Sequence, residues 1–192
     1  MRYLEKNVTG IVAILCIILF CSLALPLYIL PVSGQHHGAP PPAASIGDRK
    51  ISLDFRTLPS LIKTDQDAEM KIGFMDERAK KGVNHVTFRM DISKDGGKIL
   101  SEFFHSHEGP LNLLFKEYTN SVSPPKYTIG ATSDVLTNAW IADPGSPIIV
   151  RGGEIFTQPG TYKVVIEVTT MDNDKTDLPQ PIEYEFSIPV VE

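Results

Sequence analysis

From residue 48 onward the chain alternates apolar and polar positions with a period of two. "ISLDF" sets Ile51, Leu53 and Phe55 on one face, "EMKIGF" sets Met70, Ile72 and Phe74, and "HVTFRMDI" sets Val86, Phe88, Met90 and Ile92. Such alternation predicts strands with one buried face. "SKDGGK" is a turn signal, after which "ILSEFFHSH" returns as the second strand of a hairpin. "LNLLF", the buried-looking "PIIV", "TYKVVIEVT" and "IEYEFSIPV" continue the series. Tyr162, Val164, Ile166 and Val168 oppose Lys163 and Glu167, and Ile182, Tyr184, Phe186 and Ile188 share a face. No stretch here sustains a helical period. Several short strands separated by turns predict an all-β fold: a single antiparallel β-sandwich, cupredoxin-like or immunoglobulin-like. Its core is expected to include Phe88, Phe103, Tyr162, Ile166 and Phe186. In "QPGTYKV", a Tyr two residues after Gly at the start of a late strand matches the tyrosine corner of Greek-key sandwiches. Residues 116–146, with Pro124, Pro125 and the only tryptophan, Trp140, predict a long loop of a kind that often carries function.

The N-terminal part follows another pattern. Residues 11–30, "IVAILCIILFCSLALPLYIL", hold no charge. At about 1.5 Å per residue such a segment matches a hydrocarbon core of about 30 Å. A retained transmembrane anchor is the favoured reading; a signal sequence ending among the small residues of "PVSGQ" is the alternative. Arg2 and Lys6 precede the segment and no Lys or Arg follows it until Arg49. The positive-inside rule therefore leaves residues 1–10 in the cytoplasm and the remainder outside the cell membrane. Residues 31–47, with Pro40, Pro41 and Pro42 in a row, predict an extended tether, and residues 48–192 the extracytoplasmic sandwich.

Charge and cysteine usage narrow the chemistry. The net charge is −5, from 18 basic and 23 acidic residues that are interspersed, so no basic block suits a phosphate backbone and nucleic acid is excluded as a partner. Cys16 and Cys21 both lie in the apolar segment, which leaves the outward domain without disulfide or thiolate. No Gly-rich phosphate loop, nucleophile elbow or H-E-x-x-H is present. Asp172, Asp174 and Asp177 in "MDNDKTD" share a turn but lack the Gly and terminal Glu of an EF-hand loop, so a solvated turn is favoured over a calcium site.

Histidine remains. His36, His37, His85, His105 and His107 all fall on the outward side of the anchor. Positions i and i+2 of a strand point to one face about 6.6 Å apart, so His105 and His107 can lean toward one ion. An H-x-H at a strand end facing water is common without any metal; the separate His36-His37 pair gives the metal reading its weight. A third ligand is available from His36 or His37 on the tether, or from His85, which begins the strand paired with "ILSEFFHSH". Imidazoles without thiolate suit copper first and zinc second, and the absence of Cys and of a nearby Met argues against a blue-copper centre.

One N-terminal anchor, one outward sandwich, His37-Gly38 after the anchor and a later His105-x-His107 together resemble the B-type subunit of the copper membrane monooxygenases, particularly its short archaeal form in ammonia monooxygenase. The resemblance implies a cupredoxin-like domain in which His37, His105 and His107 bind copper. It also implies a complex with polytopic membrane subunits that oxidises ammonia to hydroxylamine, this chain being a non-autonomous subunit with a structural or copper-binding role. It locates no catalytic residue. An amino-terminal ligand requires cleavage just before the histidine; with the anchor retained, His37 binds through its side chain alone. The competing expectation is a membrane-anchored interaction module without metal, binding protein or glycan through residues 116–146.

Overall fold

The computed structural model describes residues 41–64, 66–117, 127–143, 145–152, 155–173 and 177–192. The apolar segment 11–30 with its flanking charges, His36 and His37, Pro124, Pro125 and Asp174 lie outside the described residues.

Among the described residues the fold is all-β, with two seven-stranded sheets and no helix. The first sheet runs in the order β1 (Ala44–Ile46), β2 (Arg49–Leu58), β4 (Ala68–Asp76), β8 (Leu111–Lys116), β12 (Ile148–Arg151), β9 (Thr128–Gly130), with β5 (Lys81–Gly82) paired to β4. The second runs β10 (Thr132–Asp134), β11 (Ala139–Ile141), β7 (Gly97–Ser106), β6 (Val86–Lys94), β13 (Gly160–Thr170), β14 (Asp177–Val191), β3 (Ile62–Lys63). Every long pairing is antiparallel, as alternation and short turns require. Parallel contacts join β8 to β12, β7 to β11 and β14 to β3.

Both sheets turn their apolar faces into one core. Phe74 of β4 meets Phe88 of β6 and Tyr184 of β14, with ring centroids 5.5 and 6.3 Å apart. Met70, Ile72, Phe88, Met90, Ile92, Val164 and Ile166 are fully buried. Tyr184 Oη donates to the Ile51 carbonyl at 2.8 Å, and burial pushes this phenol up to about 12. The tyrosine corner is present: Tyr162 Oη donates to the Gln158 carbonyl at 3.1 Å and accepts from its N–H at 3.3 Å. The β6–β7 hairpin closes through Asp95 and Gly96, both with positive φ (51° and 79°), the conformation a two-residue loop needs to match strand twist.

Four expectations are corrected. Phe103 is 36% exposed and Phe104, fully buried, takes the core position assigned to it. The cause is an irregularity between Ile92 and Ser93: Ser93 pairs with Lys98 but Ile92 with Leu100, so one extra residue shifts the rest of β7 by one position and exchanges its faces. Phe186 is only partly buried and packs against Phe55 at 4.2 Å. Residues 116–146 are not one structureless loop, since β9, β10 and β11 form within them. The first strand, β1, falls inside the stretch read as tether.

Among the described residues β14 borders the second sheet, with Val190 and Val191 covered by β3. It carries Pro179, Pro181 and Pro189, tolerated there because an edge strand need not donate on its outer side.

Candidate metal centre

The extra residue in β7 places His105 directly opposite Thr87 of β6. One step further along the ladder the backbone N–H of His85 donates to the His107 carbonyl at 3.0 Å. His85 sits just before β6 with φ +50°, a left-handed conformation that turns the chain as it enters the strand. Ser106 Oγ donates to the Gly109 carbonyl at 2.7 Å, fixing the turn that follows His107. The hairpin thereby collects three imidazoles at one end of one face.

One ring nitrogen from each of His85, His105 and His107 lies within 4.8 Å of the others. His105 Nε2 is 3.1 Å from His107 Nδ1. Two nitrogens bound at about 2.05 Å to a tetrahedral ion lie about 3.3 Å apart, so this pair already has the spacing of a ligand pair. The donor set fits Cu or Zn: neutral imidazoles with no thiolate and no carboxylate in the group.

The environments of the three differ. His105 is buried, His85 half-buried and His107 exposed. His105 Nδ1 lies 2.9 Å from Thr87 Oγ1, and Thr170 Oγ1 of β13 donates to Thr87 Oγ1 at 2.8 Å. Thr170 Oγ1 also accepts from the Thr87 N–H at 3.2 Å. Thr170 reaches Thr87 because β13 is irregular between Val168 and Thr170, which leaves Thr169 as the extra residue and sets Thr170 against Thr87. Nearby, the Asp134 carboxyl is held below the usual carboxylate range by the Thr137 hydroxyl and by backbone N–H groups.

A cavity of about 480 Å³ opens beside His105 and His107, lined also by Glu108, Asn112, Asp143 and Ser146. Asn112 Oδ1 is buried there without a hydrogen-bond partner among the described residues.

Of the five histidines singled out in the sequence, the structure brings together His85, His105 and His107; His36 and His37 lie outside the described residues. The two histidines of the H-x-H differ in exposure: His107 faces solvent, whereas His105 is 1% exposed. Thr87 and Thr170 carry no sequence signal of their own. Thr87 shares a face with His85 by alternation, but finding its partner requires the position of two irregularities. Asp172 of the acidic turn pairs with Arg49, which also binds Asp76 at 2.8 Å.

No protein-family model matches the chain, and no curated protein matches it.

Proposed function

We propose that this protein is a membrane-anchored, extracytoplasmic copper-binding component of a membrane monooxygenase complex, similar to the B-type subunit of ammonia monooxygenase, with His85, His105 and His107 as the ligands its folded domain supplies. The observation that carries the proposal is the convergence of these three imidazoles within 4.8 Å at the end of a single hairpin. Copper is the first choice and zinc the second, since three neutral nitrogens suit either. His36 or His37 remains eligible as a further ligand. The copper supplies redox chemistry when bound. The chain's own part is to present neutral imidazoles at fixed spacing, with His105 shielded from water and His107 open to it. Polytopic subunits of the same complex are the proposed partners, and oxidation of ammonia to hydroxylamine is the reaction of the whole.

Metal content of the purified full-length protein tests the proposal. One copper per chain is expected, lost in His105→Ala/His107→Ala and weakening at acid pH because only neutral imidazole coordinates. Full copper retention in the double variant overturns the ligand assignment, and a metal-free native complex overturns the copper role.

A second reading is an interaction module without metal. It is favoured by Val135 and Leu136, 94% and 73% exposed at the tip of the β10–β11 hairpin, where two adjacent aliphatic side chains face solvent. Replacing both by Ser would abolish partner association on that reading and leave it intact on the first.

A further inference from the structure

Histidine ligands to metals are almost always held by a carboxylate, a backbone carbonyl or water on the nitrogen that does not touch the ion. Here the Nδ1 partner of His105 is the hydroxyl of Thr87, itself backed by the hydroxyl of Thr170. All three residues are buried: Thr87 is 3%, His105 1% and Thr170 6% exposed. The difference matters because a carboxylate only accepts a hydrogen, whereas a hydroxyl donates or accepts.

We propose that Thr87, braced by Thr170, is the positioning residue of the triad: it fixes the ring of His105 and, because a hydroxyl both donates and accepts, can partner either of its tautomers as the site loads and releases an ion. Before an ion binds, hydrogens run in one direction. Thr170 Oγ1 donates to Thr87 Oγ1, Thr87 donates to His105 Nδ1, and His105 Nε2–H donates to His107 Nδ1, along contacts of 2.8, 2.9 and 3.1 Å. An ion on Nε2 needs that lone pair, so the ring hydrogen moves to Nδ1. Thr87 Oγ1 would then accept it and turn its own hydrogen toward Thr170 Oγ1, whose hydrogen must in turn rotate away from Thr87. The proton count is unchanged, because one ring hydrogen is exchanged between nitrogens through solvent. A partner that can donate in one state and accept in the other suits an exchangeable ion, handed on to another site, better than one held permanently. This last step rests on the triad being a metal site; the tautomer assignment does not.

The test uses the full-length protein in detergent with 15N-labelled histidine, at about pH 8 where imidazole is neutral, and Zn(II) as a diamagnetic probe. In the metal-free wild type the His105 shifts are expected to report hydrogen on Nε2, and after Zn(II) hydrogen on Nδ1. Thr87→Val should mix the tautomers in the metal-free protein and weaken Zn(II) binding about 10- to 100-fold, the usual effect of losing such a partner. Thr87→Ser, which restores the hydroxyl, should recover both. Should Thr87→Val fail to fold, Thr170→Val against Thr87→Ser carries the same comparison, with the tautomer shifted in the first and native in the second. Unchanged ring shifts in Thr87→Val, or a Ser variant no better than Val, overturn the proposal. A wild type that takes up no Zn(II) overturns the metal reading and the exchange step, while the metal-free shifts still decide whether Thr87 sets the tautomer.

Discussion

The backbone N–H of His85 donates to the carbonyl of His107 at 3.0 Å, although His85 holds a left-handed φ of +50°. The β6–β7 ladder thus continues one step beyond both strands, and this step brings the third imidazole to the other two. A non-glycine residue in that conformation costs about 1–2 kcal/mol.

His85→Gly separates backbone from ligand. Glycine takes the same φ without penalty, so thermal unfolding should stay at its native midpoint or rise by a few degrees. Metal affinity should fall with the loss of the third nitrogen. Unfolding monitored by circular dichroism, with a parallel copper titration, checks both; native affinity would remove His85 from the ligand set.

His105 and His107, alike in the sequence, should behave differently as single variants. His105→Ala empties a buried position and leaves Thr87 facing it, with an expected loss of about 1–3 kcal/mol. His107→Ala, at an exposed position, should change stability by less than about 0.5 kcal/mol. Both should lose stoichiometric metal. Urea unfolding of the two side by side measures the contrast, and equal stabilities would contradict their different burial.

Ile166 is fully buried on β13, which is paired along both sides with β6 and β14. Ile166→Asp places an unpaired carboxylate in the core, at a cost of several kcal/mol against a total stability of about 5–15 kcal/mol. The variant should be unfolded at 37 °C or lose most of its cooperative melting transition. A native midpoint would show that β13 is not central.

Asp76 gives the fold an acid limit. Its carboxyl is held below the usual range by the Ala79 N–H, then by the Arg49 guanidinium and the Arg78 N–H. Above about pH 3.9 the residue is charged in folded and unfolded chains alike, and its stabilisation is complete. As pH falls further the unfolded chain takes up a proton first, and the contribution disappears by the time pH passes the depressed folded value. Asp76→Asn should therefore be less stable at neutral pH and lose less on acidification. Melting temperatures between pH 6 and pH 2 test this, and parallel curves for the two proteins would count against it.

Most of the strands were legible because a half-buried strand records its burial as alternation: β2, β4, β6, β13 and β14 follow their apolar positions. Tyr162 was legible because its corner has a local signature. The irregularity in β7 was not, as nothing in "KILSE" marks Ile99 as the additional residue. Counting back from the Asp95-Gly96 turn without it pairs Phe88 with Phe103 and turns the wrong phenylalanine inward. The same one-residue error hides the pairing of His105 with Thr87, and with it the burial of His105. The short strands β9 to β11 escaped notice for another reason. Three residues are too few to show a period, and the parallel contacts of β11 and β12 are made far from their sequence neighbours.

The prolines of β14 bear on how this domain can associate. A strand bordering a sheet is ordinarily a template on which a second chain can be laid down, and uncontrolled growth begins in that way. Pro179, Pro181 and Pro189 have no N–H to offer an incoming strand, and Glu183 and Glu185 between them add charge along the same border. A neighbouring copy can pair with β14 only between Pro181 and Pro189, where Glu183 and Glu185 meet it. Along this border, recognition therefore leans on side-chain shape and charge more than on backbone pairing.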